Sequence, residues 1–428
     1  MAHNTTVQLR QDVIYSIYVR AHTPEGTFRA VEEDLDRIKA LGTDIIWLMP
    51  IHPIGVKGKK GSLGCPYANR DYRTTNPEYG TMEDFKHLVD AIHEKGMKCI
   101  IDVVYNHTSP DSTLVSEHPE FFYRKPDGSM GNRVGDWTDV VDLDYSCKAL
   151  WDYQIESLKM WAGIVDGFRC DVASMVDVEF WCKARAAVAE VNPGCIWLAE
   201  TYMGAFALMN RQAGLYSCSD YEMFRAFDME YDYDIRDVFD RYLKGEGKLS
   251  NYMDVMNFQE CQYPVNYIKM RFLENHDQPR ICQFIRDGKV LENMTAFLYF
   301  QKGSTLLYAG QEFCCDHTPS LFEKDVFPRT GTDISPLLAK LNRMKKDILS
   351  PDDYIVCSAD DDQDMAILLR TNGQSKKLGV FSLKAKSGIV CVPFPDGSYR
   401  NHLDGTTVTV EDGKLRCEGS PIVITSAQ

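Results

Sequence analysis

Several signals of common protein classes are missing from this 428-residue sequence. It has no excess of positive charge, because 62 acidic residues outnumber 47 Lys and Arg and give a net charge of −15. Nucleic acids and anionic membrane surfaces are bound mainly by basic patches, so neither is an expected partner. The one basic cluster of note, KGKK at 57–60, lies among glycines and is predicted to be a solvated loop.

Motifs for zinc, dinucleotides and membranes are missing as well. The 14 cysteines form no paired CxxC motifs, and many lie in apolar runs, which predicts buried free thiols of a reducing compartment. No GxGxxG motif follows an early strand, and no apolar run is long enough to span a membrane. The first residues lack a basic and apolar leader, so we expect a cytoplasmic protein unless an export signal has been removed.

The sequence does contain a regular alternation of short β-type runs and helical segments up to about residue 345. Such alternation predicts helices packed around a parallel sheet, and eight units favour a closed (β/α)8 TIM barrel over an open sheet. The first helix is expected over 27–42, where apolar residues recur at spacings of three and four. The predicted strands are 13–19, 44–49, 98–104, 164–170, 195–200, 226–232, 268–274 and 305–310.

Two departures from this alternation divide the chain. About 40 residues separate the third strand from the next helix, although loops after a strand usually have about two to six. Towards the C-terminus, short alternating runs separated by turn residues are typical of antiparallel sheets. We therefore predict an α/β barrel from residues 1–105 and 147–347, a short inserted domain at 106–146 and a C-terminal β-sandwich domain at 348–428.

Polar residues stand at the carboxyl ends of four predicted strands. Taken singly, each has a structural explanation as a buried hydrogen-bonded carboxylate, a core histidine or a helix cap. A barrel, however, brings the carboxyl ends of its strands to one mouth, where barrel enzymes keep their active sites. The residues are Asp102, Asn106 and His107 at the third strand, Arg169 and Asp171 at the fourth, Glu200 at the fifth, and Asn275, His276 and Asp277 at the seventh.

The carboxylates at this mouth suit glycoside cleavage. Asp171 lies two residues from Arg169, and the opposite charge is expected to keep Asp171 ionised, as a nucleophile requires. Glu200 follows an apolar strand, and partial burial is expected to raise its pKa, as a proton donor requires. Two carboxyl groups with pKa values pushed apart are what a glycosidase uses.

The ordered set of motifs resembles the α-amylase family, glycoside hydrolase family 13. The four strand-end segments are DVVYNH, GFRCD, WLAE and LENHD, and GTDIIWLMPIHPIG, PYANRDYRTTNPEYGT, DLDYS and GSTLLYAGQE flank them. The resemblance covers residues 13–315 and implies a small C-terminal β domain. It therefore implies the barrel fold and a retaining enzyme of α-amylase type that acts on α-1,4-glucans.

The resemblance implies a role for each matching residue. Asp171 would be the nucleophile that forms a covalent glycosyl intermediate, and Glu200 would be the general acid and base. Asp277 would hold the hydroxyls of the distorted sugar. The substrate-binding residues would be Tyr67, which would stack on the sugar ring, His107, Arg169 and His276, whereas Asp102 and Asn106 look more structural.

One segment departs from the family pattern. Ser174 and Met175 stand where many α-amylases have Lys and His, so the family's acceptor contacts do not carry over. The chemistry needs no cofactor, but the resemblance raises a possible structural calcium ion, with Asn106 and Asp144 as weak candidate ligands and the Met175 carbonyl as a third oxygen. Calcium takes roughly six to eight oxygen ligands, so these three are few.

The leading hypothesis is an α-amylase-type hydrolase of maltooligosaccharides or starch fragments, because the inserted loop is short for the family and offers few remote subsites. A 4-α-glucanotransferase uses the same intermediate and is the alternative. A catalytically inactive binding protein would be expected to lack Asp171, Glu200 or Asp277, and all three are present. A metal-dependent barrel hydrolase would need clustered ligands, of which only His107 and His276 are candidates.

Overall fold

The computed structural model describes residue 2 and residues 4–134, 136–373 and 375–426. Strands are numbered in chain order. They are β1 Val13–Ile17, β2 Ile45–Leu48, β3 Lys98–Val103, β4 His107–Thr108, β5 Val141–Asp142, β6 Gly167–Cys170, β7 Ile196–Ala199, β8 Met229–Tyr231, β9 Lys269–Arg271, β10 Ser304–Tyr308, β11 Tyr354–Asp360, β12 Met365–Asn372, β13 Ser375–Ser382, β14 Ser387–Cys391, β15 Gly397–Arg400, β16 Thr407–Glu411, β17 Lys414–Glu418 and β18 Ile422–Thr425.

The α-helices are numbered in the same way. They are α1 Val19–His22, α2 Phe28–Glu32, α3 Leu35–Ala40, α4 Met82–Glu94, α5 Thr113–Glu117, α6 Lys148–Ala162, α7 Val178–Val188, α8 Gly204–Gln212, α9 Asp220–Met223, α10 Tyr233–Leu243, α11 Leu249–Gln262, α12 Gly288–Phe300 and α13 Ser335–Ile348. Short 3-10 helices cover Val7–Gln11, Pro119–Phe121, Ala173–Met175, Ile281–Gln283 and Gln311–Phe313.

Eight parallel strands close into a barrel in the order β1, β10, β9, β8, β7, β6, β3 and β2. Each lies within one of the sequence-predicted strands or overlaps it, so the predicted TIM barrel is confirmed. Their side chains are buried almost throughout, because helices cover the outer face and side chains fill the interior. The barrel therefore presents its strand ends, and not an open pore, to the solvent.

The first predicted helix is interrupted. Thr27 caps α2, because its side chain accepts a hydrogen bond from the Ala30 N–H. The helix nevertheless ends at Glu32, and a new helix, α3, begins at Leu35. The Asp34 carboxylate, at the break, forms ion pairs with Arg37 and Arg329 and lies at hydrogen-bonding distance, 2.9 Å, from His22 Nε2. The single helix predicted over 27–42 is therefore wrong in this detail, because tertiary ion pairs at Asp34 outweigh the apolar periodicity.

The segment between β3 and α6 carries the two-stranded sheet β4–β5 and the short helix α5. Beyond α13, two four-stranded antiparallel sheets with the orders β11-β12-β13-β18 and β14-β17-β16-β15 pack around a second hydrophobic core. The predicted C-terminal antiparallel sheets are thus confirmed. The exact limits of the three domains stay predictions.

All 14 cysteines lie within the described residues and are free thiols. Eight of them are buried, as predicted, whereas four are half-buried and two, Cys261 and Cys391, are exposed. None of the helices in the described ranges combines the length and apolarity that crossing a bilayer would require.

Candidate active site

The register of the barrel strands brings the predicted polar residues to one face. Asp102 on β3 pairs with Arg169 on β6, which in turn pairs with Leu198 on β7. Residues in register point to the same side of a sheet, and so does every second residue along a strand. Asp171 and Glu200, two positions beyond Arg169 and Leu198, therefore face the same mouth.

Arg169 lies at the centre of this face and is completely buried. Its Nη1 donates to Asp102 Oδ1 at 2.8 Å and to Asp171 Oδ1 at 3.0 Å. Its Nη2 forms an ion pair with Glu200 Oε1 at 2.8 Å, and its Nε donates to the Tyr231 hydroxyl at 3.2 Å. Adjacent amino groups of one planar guanidinium thus hold Asp171 and Glu200 close together. We call Arg169, Asp102, Asp171 and Glu200 the Arg169 cluster.

A strained residue positions Glu200. Val172, directly after Asp171, has a left-handed backbone with φ of 38°, which a β-branched residue rarely adopts. Such a conformation costs on the order of 1–3 kcal/mol and persists only where the surroundings enforce it. In this conformation the Val172 N–H donates to Glu200 Oε2 at 2.7 Å. The turn after β6 therefore ties Glu200 to the residue that follows Asp171.

His276 and Asp277 follow β9 and lie beside this cluster. The Nε2 atom of His276 lies 2.7 Å from the Tyr67 hydroxyl and 3.0 Å from Asp277 Oδ2. The rings of Tyr67 and His276 stack with their centroids 5.5 Å apart, and the Tyr67 hydroxyl donates to Asp102 Oδ2. Tyr67 thus packs on a protein ring while another part of it lines the cleft.

His107 closes another side of the mouth. Its Nε2 lies 3.9 Å from Asp171 Oδ2, and its ring packs against Trp137 with a centroid distance of 5.1 Å. These side chains line a cleft of about 370 Å³ together with Tyr202 and Tyr233. All seven residues predicted to be catalytic or substrate-binding are therefore brought together, six at the cleft surface and Arg169 directly beneath it.

The ionisation of the two central carboxyl groups differs from the sequence-based expectation. Burial raises the pKa of Glu200 to about 7, and this rise is the one expected from its apolar strand. Burial also raises the pKa of Asp171 to about 7, because its effect, with the charges of Asp102 and Asp277, outweighs the opposing effect of Arg169. Arg169 thus acts to lower the pKa of Asp171, as expected, but the expectation that this charge keeps Asp171 ionised is wrong, because burial outweighs it. One proton shared by this pair is the favoured state near neutrality.

The pKa values of the two histidines are shifted in opposite directions. Burial lowers the pKa of His107 to about 4, so its imidazole is neutral at pH 7. Burial also acts to lower the pKa of His276, but the Asp277 carboxylate outweighs it and raises that pKa. The same contact holds the pKa of Asp277 below its usual range in spite of burial. Asp277 is thus the carboxylate of the mouth most favoured to be ionised.

The candidate calcium ligands lie outside this cleft. Asn106, Asp144 and Met175 line a neighbouring cavity, together with Asp142. The Asn106 Nδ2 donates to His107 Nδ1 at 3.1 Å, and Asp144 Oδ1 accepts from the Ser146 N–H. Of these predicted ligands, Asp144 therefore already uses an oxygen in a local hydrogen bond, whereas the contact of Asn106 is made by its amide nitrogen.

A basic side chain lies in the same cavity, beside Asp142 and the Leu143 carbonyl. The Arg133 N–H donates to Asp142 Oδ2 at 2.7 Å, and its Nη1 lies 3.6 Å from the same oxygen and donates to the Leu143 carbonyl at 3.3 Å. Lys148 lines the same cavity. No group of three or more metal-binding side chains occurs within the described ranges. A divalent cation would meet two positive charges here, so the residues do not fit calcium.

Sequence reasoning missed several residues that build the site. Asp102 looked structural, yet it shares Arg169 with both central carboxylates. The register of β3 with β6 explains this and is not readable from the sequence. Lys60, expected in a solvated loop, instead lines the cleft and forms an ion pair with Asp139 at 3.2 Å. The Lys60 side chain is still 36% exposed, so the solvated-loop prediction is wrong for Lys60 only in that this residue also pairs with the inserted segment and lines the cleft.

Profiles of two known families match the chain. The family described as "Alpha amylase, catalytic domain" matches residues 5–127 and 134–347, and "Bacterial Alpha amylase C-terminal domain" matches residues 357–424. Among solved structures, an α-amylase from Lactobacillus plantarum is 43% identical, with a TM-score of 0.94 over 99% of this chain and 100% of that one. A noncanonic maltogenic α-amylase from Thermotoga neapolitana is 33% identical, with a TM-score of 0.86 over 98% and 99% of the two chains.

Curated relatives are more distant and longer. An α-amylase from Haloarcula japonica is 29% identical over 315 residues, which are 70% of this chain and 44% of that protein. An α-1,4-glucan:maltose-1-phosphate maltosyltransferase from Streptomyces coelicolor is 25% identical over 363 residues, 76% of this chain and 51% of that protein. The chain thus spans about half the length of these curated relatives.

Proposed function

The chain belongs to the α-amylase family, and from this premise we propose that it is a retaining glycoside hydrolase of α-1,4-glucans such as maltooligosaccharides or starch fragments. The observation that carries the proposal is the pair Asp171 and Glu200, held by adjacent amino groups of Arg169. Retaining enzymes place their two carboxyl groups about 5 to 5.5 Å apart, closer than inverting enzymes do. A shared guanidinium favours such a short separation.

In the first step Asp171 attacks the anomeric carbon while Glu200 donates its proton to the departing glycosidic oxygen. The carbon–oxygen bond to the leaving sugar breaks, and a glycosyl ester with Asp171 forms. Asp171 must be ionised and Glu200 protonated for this step, which is one arrangement of the shared proton. In the second step Glu200 accepts a proton from water, water attacks the same carbon, and Asp171 is released.

The neighbouring side chains have supporting roles. Asp277, as the most ionised carboxylate of the mouth, accepts hydrogen bonds from sugar hydroxyls that strengthen as the ring distorts. His276, which contacts Asp277, and neutral His107, which lies beside Asp171, both bind the same sugar. Arg169 is a positioning residue, because it is buried beneath the two carboxylates and orients them. Tyr67 lines the cleft and offers its ring to the sugar.

A 4-α-glucanotransferase is the second candidate, favoured by relatives named maltosyltransferases and by an apolar acceptor side. Met203, which lines the cleft three residues after Glu200, has 42% of its surface exposed, and Tyr202 lies beside it. An apolar wall next to the proton donor favours a sugar ring over water as the acceptor.

A time course with maltotriose separates these functions. The hydrolase proposal predicts that glucose and maltose appear first and that no longer oligomer precedes them. Early maltotetraose or longer products would contradict hydrolysis as the main reaction and support the transferase. The variant Asp171→Asn serves as the control, since neither reaction proceeds without the nucleophile.

A further inference from the structure

Three loops at the barrel mouth are joined to one another. They comprise residues 57–64 after β2, residues 136–140 in the segment between β3 and α6, and residues 320–323 after β10. We call these three segments the rim wall. Each contributes a residue to the lining of the active-site cleft: Lys60, Asp139 and Phe322.

The loops after β2 and β10 are tied by backbone and side-chain contacts. The Ser62 N–H donates to Glu323 Oε1 at 2.8 Å, and the Ser62 hydroxyl donates to Glu323 Oε2. The Leu63 N–H donates to the Phe322 carbonyl at 3.0 Å. A chain passing between these loops would have to break all three hydrogen bonds.

Lys60 connects the loop after β2 to the inserted segment. Its Nζ lies 3.2 Å from Asp139 Oδ1 and donates to the Asp136 carbonyl at 3.3 Å. The Asp139 side chain is 5% exposed and the Lys60 side chain 36% exposed, so this ion pair is shielded from solvent on its Asp139 side. Lys60 thus links two segments of the rim wall through an ion pair and a hydrogen bond.

The topology places the rim wall opposite the proton donor. Around the closed barrel, β7, which precedes Glu200, lies across from β1, and the neighbours of β1 are β2 and β10. The loops after β2 and β10 therefore face Glu200 across the mouth. Because Glu200 protonates the leaving sugar, the acceptor lies on its side of the cleft, next to Tyr202 and Met203. The rest of the donor chain must run the other way, towards the rim wall.

We propose that the rim wall closes the donor end of the cleft, so that the enzyme acts from the non-reducing ends of linear α-1,4-glucans and releases a short product of fixed length. This inference rests on the proposed function, because it deepens the description of the same site. The donor portion of an α-1,4-glucan ends in a non-reducing sugar, which would abut Lys60 and Phe322. An internal bond of a long chain would require the donor chain to pass through the wall.

The test compares two maltoheptaose substrates, one free and one blocked at its non-reducing end by a 4,6-benzylidene group. Products are separated by chromatography at early times. We expect the blocked substrate to be cleaved about tenfold or more slowly than the free one by the wild-type protein. Equal rates on both substrates would overturn the inference but leave the proposed function intact. Cleavage of neither substrate would instead overturn the proposed function.

Variants locate the closure. Lys60→Ala removes the ion pair with Asp139, and Glu323→Ala removes the hydrogen bonds to Ser62. Both variants are expected to cleave the blocked substrate at a rate closer to that of the free substrate. Lys57→Ala is the matched control, because Lys57 is an exposed lysine of the same loop that does not line the cleft. Thermal melting verifies that each variant is folded. A ratio of the two rates that stays at the wild-type value in both test variants would contradict closure by the rim wall.

Discussion

Two clusters of charged side chains in this protein have nearly the same composition, but one lies at the mouth of the barrel and the other lies behind the barrel wall. In the Arg169 cluster one cation serves three carboxylates, and in a second group, the Lys269 cluster, Lys269 pairs with Asp220, Glu230 and Asp234. Both cations are completely buried. Buried charge alone therefore does not mark the active site.

The difference lies in the face of the barrel on which each cluster stands. Glu230 pairs in register with Lys269, just as Asp102 pairs with Arg169. However, Tyr231 points inwards and contacts Arg169, so its neighbour Glu230 points outwards, towards the helices. The Lys269 cluster consequently lies behind the barrel wall, and its carboxylates have no access to the cleft. Chemistry needs the charges at the mouth, whereas the same charges behind the wall join strands to helices.

The sharpest way to break this comparison is one substitution made in both clusters. Glu200→Gln removes the proton donor, and we expect kcat to fall by about 10² to 10⁴ fold, the usual contribution of general acid catalysis. Glu230→Gln makes the same chemical change in the Lys269 cluster and is expected to leave kcat almost unchanged. Steady-state kinetics on maltooligosaccharides measures both variants. Comparable losses in the two would show that the clusters do not differ in function.

Removal of the second cation tests the structural side of the comparison. Lys269→Met leaves the buried Glu230 and the partly buried Asp220 and Asp234 without their counter-charge, and breaking a buried pair in this way costs about 3–5 kcal/mol of unfolding free energy. Urea denaturation measures this loss. We expect kcat, measured where the variant is still folded, to fall far less than in Glu200→Gln. A variant as stable as the wild type would contradict the structural role.

The pH dependence sharpens the comparison within the Arg169 cluster. Since the pKa values of Asp171 and Glu200 are both raised to about 7, their one-proton state is most populated near pH 7, and kcat/KM is expected to be bell-shaped around that pH. The charge of Asp277 contributes to both rises, so Asp277→Asn should move the bell to lower pH whatever it does to the rate. A pH profile of kcat/KM that stays in place or moves to higher pH would contradict the effect of the Asp277 charge on the two pKa values.

The same raised pKa values predict a stability effect with a defined sign. A carboxyl group whose folded-state pKa is raised stabilises the fold below its unfolded pKa, and this contribution is lost as pH rises through the folded value. Between about pH 4 and pH 7 the Asp171 and Glu200 pair should therefore contribute progressively less to stability. Glu200→Gln should accordingly melt at a higher temperature than the wild type at pH 8. A lower melting temperature would contradict burial as the cause.

The smallest expected effect on stability concerns Arg133 and the candidate calcium site. The Arg133 guanidinium stands beside Asp142 in the cavity that the candidate calcium ligands also line, and it packs on the Tyr123 ring at 4.2 Å. We expect EDTA and added calcium to leave the melting temperature of the wild type unchanged, and Arg133→Ala to cost about 1–2 kcal/mol. Thermal melting with and without calcium checks this. A calcium-dependent rise in the wild type would show that the cavity binds the metal.

The sequence was sufficient to predict the barrel because its alternation repeats eight times, and each predicted strand has its counterpart among β1–β3 and β6–β10. Local periodicity did not predict the break at Asp34. That break depends on ion pairs with residues far away in the chain, such as Arg329. Tertiary contacts of this kind leave no local signal.

The candidate site was predictable to a similar degree. The strand ends indicated Asp171, Glu200 and Asp277, since polar residues after buried strands converge in a barrel. The pKa of Asp171 was not predictable, because it depends on two carboxyl groups, Asp102 and Asp277, that the barrel brings near it and on a degree of burial that spacing cannot show. The place of Lys60 was hidden for a similar reason, since its partner Asp139 lies 79 positions further along the chain, in the inserted segment.

The central claim is that Asp171 attacks the sugar and carries it as an ester, and covalent trapping tests this most directly. The protein is incubated with a 5-fluoro-α-glycosyl fluoride, which forms the ester readily and hydrolyses it slowly, and the labelled peptide is identified by mass spectrometry. We predict one glycosyl group per chain on the peptide that contains Asp171, and no label in Asp171→Asn. A label on Glu200, on Asp277 or on a residue of the Lys269 cluster would contradict the account.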